Sequence, residues 1–241
     1  LSTQGLPDGR QQFSGDGTSY GFNLGLHSRL GKNLALGVSY RSGFDVDLKG
    51  DVKFNLPSAA LEPVLPNSSG ETTVRLPDQL HVALAYSGFE RWVVETGVRW
   101  ENWSTYDELR FKTAQPINGS NVSTRATDWH DTLTLTVGGR YRVNDRVRLL
   151  AGFVRGEDPI PDKTFEPSVT DSPHYALTAG LEYAMGRHQL AFSYAWQKWF
   201  DRNKANEVGA QFSGGAVSDA RANGEYSSHS HFLAASFTYV F

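Results

Sequence analysis

Thr132-Leu133-Thr134-Leu135-Thr136-Val137-Gly138-Gly139-Arg140-Tyr141 puts Leu133, Leu135, Val137 and Tyr141 on one parity. Thr132, Thr134, Thr136 and Arg140 fall on the other. Successive side chains of an extended chain point to opposite faces, so the stretch reads as a strand with one apolar and one polar face. Its length is also that of a tilted strand crossing a membrane, about 10 residues.

The same period recurs along the chain. Leu34, Leu36, Val38 and Tyr40 share a face, and the parity resumes at Phe44, Val46 and Leu48. Leu80, Val82, Leu84 and Tyr86 form a third case, and Trp92, Val94, Val98 and Trp100 a fourth. Tyr175, Leu177, Leu181 and Tyr183 continue the series, followed by Leu190, Phe192, Tyr194 and Trp196, and finally Leu233, Phe237, Tyr239 and Phe241. With further strands near 20–30 and 146–155, about nine strands are expected and no helix of comparable length. The fold class is all-β. Between Trp100 and Trp103 the apolar parity flips, and a one-residue β-bulge is expected there.

Composition narrows the function classes. The 241 residues include 24 Gly, 30 aromatic residues (Trp 6, Tyr 10, Phe 14) and one Met, which suits strands and turns better than helices. Formal net charge is −3, so there is no basic footprint for nucleic acid. Cysteine is absent, excluding a disulfide framework, a thiolate metal site and a cysteine nucleophile. No apolar run approaches the ~20 residues of a spanning helix.

Alternation alone does not say which face is outside, because a soluble sandwich alternates as well. Three features favour a transmembrane antiparallel β-barrel. Short turns at Gly31-Lys32-Asn33, 87–90, Val143-Asn144-Asp145 and Met185-Gly186-Arg187 alternate with long polar connections at 55–75, 112–128, 158–173 and 200–225. That is the pattern of periplasmic turns and extracellular loops. Aromatic residues such as Tyr40, Tyr86, Trp92, Trp100, Trp129, Tyr141, Tyr175, Tyr183, Trp196 and Tyr239 sit at strand ends, where interfacial girdles belong. The strand carrying Phe237 and Tyr239 ends on Phe241, like the terminal aromatic signal of outer-membrane barrels.

The expected location is therefore the outer membrane of a Gram-negative bacterium. Residues 1–17 read as the remnant of an extracellular loop without a signal peptide, and residues 18–241 as the C-terminal part of a barrel. Single-chain bacterial barrels have even strand numbers, so nine strands imply a longer parent barrel. Two open sheet edges should keep this piece from inserting alone as a stable monomer.

Several short segments, in order, resemble the FadL-type transporters of long-chain fatty acids and other hydrophobic compounds. They are Tyr20-Gly21-Phe22-Asn23-Leu24-Gly25, Tyr40-Arg41-Ser42 leading to Asp47-Leu48-Lys49-Gly50, Leu76-Pro77, and the stretch from Trp100 to Ser104. Trp129-His130-Asp131, Gly152-Phe153, Pro159-Ile160-Pro161, Ala179-Gly180-Leu181-Glu182-Tyr183 and Phe237-Thr238-Tyr239-Val240-Phe241 complete the set. The resemblance implies a 14-stranded monomeric barrel plugged by an N-terminal hatch, of which this chain would supply strands six to fourteen. It also implies passive transport of fatty acids or aromatic hydrocarbons without a cofactor. In the family a basic residue just before the Trp-His-Asp region contributes to an internal carboxylate site, and Arg125 matches it.

Other residues read from chemistry alone. Leu56, Ala59, Ala60, Leu61, Val64 and Leu65 form an apolar segment between Pro57 and Pro66 in a connection expected to face water. They either pack on neighbouring loops or line an extracellular capture groove for hydrophobic substrate. Arg41, His81, Glu95, Arg99, Glu101, Glu108, Arg110, Arg148 and Glu182 fall on the polar parity, where lumen charges pair with one another or with a plug. His229 and His231, beside Ser228 and Ser230, raise the alternative of a barrel-embedded hydrolase or a metal pair, yet no third ligand and no motif accompany them. The expected partners are a hydrophobic small molecule, outer-membrane lipid and lipopolysaccharide.

Overall fold

The structure, a computed structural model, describes residues 9–166, 169, 171–206, 208 and 222–239. Among the described residues fourteen strands follow one another: β1 (Arg10–Asp16), β2 (Asn23–Arg29), β3 (Leu34–Arg41), β4 (Phe44–Asn55), β5 (Ser68–Leu76), β6 (Gln79–Tyr86) and β7 (Trp92–Glu101), then β8 (Glu108–Ile117), β9 (Ser120–Ala126), β10 (Thr132–Arg142), β11 (Val147–Gly156), β12 (His174–Met185), β13 (His188–Lys204) and β14 (Gly224–Tyr239). Nine of them, in the order β14-β13-β12-β11-β10-β7-β6-β3-β2, form one antiparallel wall. These are the nine strands that the alternation predicts.

Exposure decides which face of the wall is outside. Leu133, Leu135 and Val137 are 43%, 53% and 51% exposed, and Leu177 and Phe192 are 50% and 53% exposed. In a soluble sandwich these side chains would be the core. Here no second layer among the described residues covers them, and an apolar face left open over a whole sheet belongs against lipid. The opposite face carries Thr132 and Thr134, both buried, with Arg99, Glu101, Arg148 and Glu182. Every wall strand but the two edges, β2 and β14, is hydrogen-bonded on both sides, which lipid requires of a backbone it surrounds.

Short turns close one end of the wall. Gly186-Arg187 joins β12 to β13, and Gly186 has the positive φ of 60° that a two-residue hairpin turn needs at its first position. Rings gather there: Trp92 packs on Tyr141 at 4.7 Å and Tyr86 on Phe89 at 5.1 Å. At the other end Tyr175 meets Trp196 at 5.6 Å and Phe22 meets Tyr40 at 5.9 Å.

Two of the long connections, those between β3 and β6 and between β7 and β10, are themselves built of strands. Five strands in the order β1-β4-β5-β8-β9 make a second antiparallel sheet beyond the long-loop end of the wall. The β8–β9 hairpin turns on Asn118-Gly119 with φ of 51° and 81°, and this pair is the strongest short-range hairpin signal a sequence carries. Residues 10–16, expected to be loop, pair as β1 with β4. Residues 1–8, the terminal Phe241 and most of the 200–225 connection lie outside the described residues, although β13 runs on to Lys204.

Two further expectations are corrected. No bulge follows Trp100; β7 ends at Glu101 and a 3-10 turn, Trp103–Thr105, carries the chain out of the wall. The parity flips because β8 belongs to a different sheet with its own register. For the same reason Glu108 and Arg110 are not wall residues but lie on β8 of the second sheet.

Candidate functional site

The second sheet meets the wall at a junction built from Asp78, Asp131 and the 3-10 turn. Asp78 sits between β5 and β6, where Pro77 ends the first of them. Its carboxylate accepts from the Tyr40 hydroxyl at 2.5 Å, the Gly43 amide at 3.0 Å and Asn102 Nδ2 at 3.3 Å. The Gly43 amide first, and then the Tyr40 hydroxyl, hold the Asp78 carboxyl below the usual carboxylate range. Asp131 accepts from Trp100 Nε1 at 3.2 Å and from the Ser104 amide at 3.1 Å. Both aspartates thus tie the exit of a wall strand to the entry of the second sheet.

Beside this junction lies the Arg125 site. Arg125 is on β9, opposite Leu109 of β8. Its Nη1 forms an ion pair with Glu166 of the 157–173 connection, while its Nε is buried without a hydrogen-bond partner. Three rings stand together close by: Trp129 packs on Tyr106 at 4.7 Å and on Trp103 at 5.1 Å. Burial pushes the Tyr106 hydroxyl pKa up, and the charge of Arg125 partly opposes the rise. The site is a half-buried cation whose Nε donor is free, next to an apolar aromatic wall. Such a pairing suits an apolar molecule with or without a carboxylate.

Through residues 157–166 this connection covers the site and is clamped in place. Thr164 Oγ1 donates to the Thr127 carbonyl at 2.6 Å, and the His130 amide to the Pro159 carbonyl at 3.0 Å. Arg202 reaches from β13 to Asp158 at 2.5 Å and Asp162 at 2.9 Å, donates to the Ile160 carbonyl, and lies 4.2 Å over the Phe165 ring. Asp158-Pro159-Ile160-Pro161-Asp162 is therefore the segment that Arg202 holds. Burial raises the Asp158 carboxyl pKa, against the Ile160 amide and the Arg202 charge.

The predicted apolar segment is elsewhere. Leu56, Leu61 and Leu65 are half-buried around a 3-10 turn at Ala59–Leu61, and Val64 is exposed. The Val64 carbonyl accepts the Asn118 amide at the tip of the β8–β9 hairpin. Arg125 lies toward the opposite end of that hairpin, so the structure does not bring the two predicted groups together. Glu166, Tyr106 and Arg202 were not predicted; none carries a motif, and their partners lie tens of residues away.

On the lumen face the predicted charges pair largely with one another. Arg99 lies 3.3 Å from Glu101, and Arg148 lies 3.6 Å from Glu182. Glu101 also accepts from Gln79 at 3.0 Å. Asn23, Ser39, Arg41, Gln79, His81 and Arg99 line a polar recess between these strands. The histidines of β14 face the other way. His229 and His231 align with Lys198 and Trp196, on the lipid side, and the Tyr194 hydroxyl lies 2.8 Å from His231 Nδ1. Ser230 aligns with Gln197 on the lumen side. A serine and two imidazoles on opposite faces cannot form a hydrolytic set.

Comparison with known proteins agrees with this architecture. The chain is 26% identical over 186 residues to the long-chain fatty acid transport protein of Salmonella typhi, covering 72% of this chain and 41% of that one. The Escherichia coli K12 protein of the same name is 25% identical over 186 residues, with 72% and 40% covered. Among solved structures, a Pseudomonas aeruginosa FadL homologue superposes with a TM-score of 0.76 at 21% identity, over 91% of this chain and 52% of that one. The Ralstonia pickettii toluene transporter TbuX superposes with a TM-score of 0.61 at 17% identity, over 97% and 51%. The chain thus spans about two fifths of the length of the curated relatives it matches. Residues 6–241 match the family described as outer membrane protein transport protein (OMPP1/FadL/TodX), so the chain belongs to that family of outer-membrane β-barrels.

Proposed function

We propose that the protein carrying this chain takes up hydrophobic molecules, long-chain fatty acids or aromatic hydrocarbons, passively across the outer membrane. Outer-membrane barrels place short turns in the periplasm and long loops outside, which makes the second sheet and the 157–173 connection an extracellular cap. The observation that carries the proposal is the Arg125 site within that cap. A buried, unpartnered Nε lies beside the rings of Tyr106, Trp103 and Trp129. Arg125 takes the carboxylate of a fatty acid, and the rings receive its chain or an aromatic hydrocarbon. Glu166 neutralises Arg125 while no carboxylate is bound.

Leu56, Leu61, Val64 and Leu65 serve as the first apolar contact at the outer tip of the cap. Relatives named as fatty acid and toluene transporters support a hydrophobic cargo. No chemical step or cofactor is part of the proposal, and the complete protein works as a monomer surrounded by lipid and lipopolysaccharide.

Ligand-dependent stabilisation tests it. The complete protein in detergent should melt at higher temperature with oleate or toluene and not with glucose, because a ligand that binds only the folded state stabilises it by mass action. No shift with either hydrophobic ligand would count against the proposal.

A further inference from the structure

One hydrogen-bonded row on the lipid side of the wall changes character along its course. It is apolar from Leu26 on β2 through Val38, Val82 and Val98 to Leu135 on β10. From β11 to β14 the same row continues as Arg155, Tyr175, Lys198 and His229. The adjoining row toward the short-turn end is Phe153, Leu177 and Trp196, ending on His231. Two obligate cations therefore stand at the border of the apolar band, one residue from the extracellular end of β11 and beside the register shift of β13.

A cation on the lipid side is costly at the membrane centre and tolerated only at the interface. These two keep donors in hand there. Arg155 lies 4.7 Å from the Phe200 ring centroid and gives Nη1 to the carbonyls of Gly156 and His174 at 3.2 and 3.1 Å. Its Nε and Nη2 make no bond among the described residues. Lys198 gives one N–H to Asp201 at 2.8 Å and one to Ser227 Oγ at 3.0 Å, leaving the third of its ammonium donors. Among the described residues Asp201 pairs with Lys198, Glu157 accepts the Leu133 amide at 2.9 Å, and no ion pair to Arg155 is formed. The Tyr175 ring packs on Trp196 and Phe200, which stiffens the patch.

We infer that Arg155, Tyr175, Lys198 and His229 bind the phosphorylated sugar headgroup of an outer-leaflet glycolipid. A guanidinium fork and a point-charge ammonium are the two side chains that recognise phosphate best. The position at the lipid border suits a headgroup whose acyl chains continue over Phe153, Leu177 and Trp196. A soluble anion has no use for that continuity. The site is separate from the cap and does not depend on which cargo the protein carries.

The test uses the complete protein extracted from outer membranes in mild detergent, with bound glycolipid measured by native mass spectrometry. Wild type should retain phosphorylated glycolipid, and the Arg155→Gln/Lys198→Gln double variant should bind it about tenfold more weakly or worse, the loss of charge-assisted contacts. The charge-keeping variant Arg155→Lys/Lys198→Arg should recover most of the binding. Dephosphorylated glycolipid should bind wild type about tenfold more weakly as well, an arm that decides the matter even if the variant fails to fold. Equal binding with and without the phosphates, or by wild type and a folded double variant, overturns the site. Displacement by millimolar inorganic phosphate overturns the glycolipid as its occupant.

Discussion

The Arg202 guanidinium and the Asp158 carboxylate meet at 2.5 Å with side chains only 9% and 6% exposed, joining wall strand β13 to the connection that covers the Arg125 site. Removing one partner of a buried pair leaves the other charged and unpaired, at a cost of about 3–5 kcal/mol. Arg202→Met should therefore release the 157–173 connection. Limited proteolysis should cut it much faster than in wild type while the wall stays protected. Unchanged cleavage would mean that other contacts hold the cap.

Asp78 should give the junction an acid limit. Its folded pKa lies below the unfolded value, so its contribution to stability is present above the ordinary carboxylate pKa. That contribution is lost as pH falls through the lowered folded value. Asp78→Asn should melt below wild type at neutral pH, with the gap narrowing as pH falls below about 4. A gap that does not change with pH would assign the loss to shape instead of charge.

Glu166 competes with a bound carboxylate for Arg125. Glu166→Gln should tighten binding of an ionised fatty acid, and Arg125→Gln should weaken it by about tenfold or more, since a hydrogen bond to a charged group is worth about 1.5–3 kcal/mol. Toluene affinity should change little in either variant. Equal losses for both ligands in Arg125→Gln would remove the carboxylate role.

Orientation of the wall can be read on neighbouring residues. Val137→Lys puts a cation into lipid and should cost about 2–4 kcal/mol near the bilayer centre, whereas Thr136→Lys, on the lumen face, should cost far less. Refolding equilibria of the complete protein in bilayers measure both. The reverse order would put the apolar face inside.

Much of the fold was legible because a two-residue period marks one lipid-facing and one lumen-facing side without reference to the rest of the chain. The strand Leu133–Tyr141 needs only its own residues to be found. The second sheet was harder: β4 keeps an apolar stripe in Phe44, Val46 and Leu48, but β9 has none, as in Ser120-Asn121-Val122-Ser123. Asn118-Gly119 was the signal that could have revealed it. The site was less legible still. Arg125 was reached through resemblance alone, and nothing local marks Glu166 as its partner across 41 positions. Pairing of that kind is set by how two connections cross above the wall, which no period encodes.

Transport itself is tested most directly in cells. A strain lacking its own hydrophobic uptake channel and expressing the complete protein should take up labelled oleate or toluene faster than a vector control. The rate should saturate, and glucose uptake should not change. Uptake of both hydrophobic compounds at the control rate, with the protein confirmed in the outer membrane, would contradict a role in hydrophobic transport.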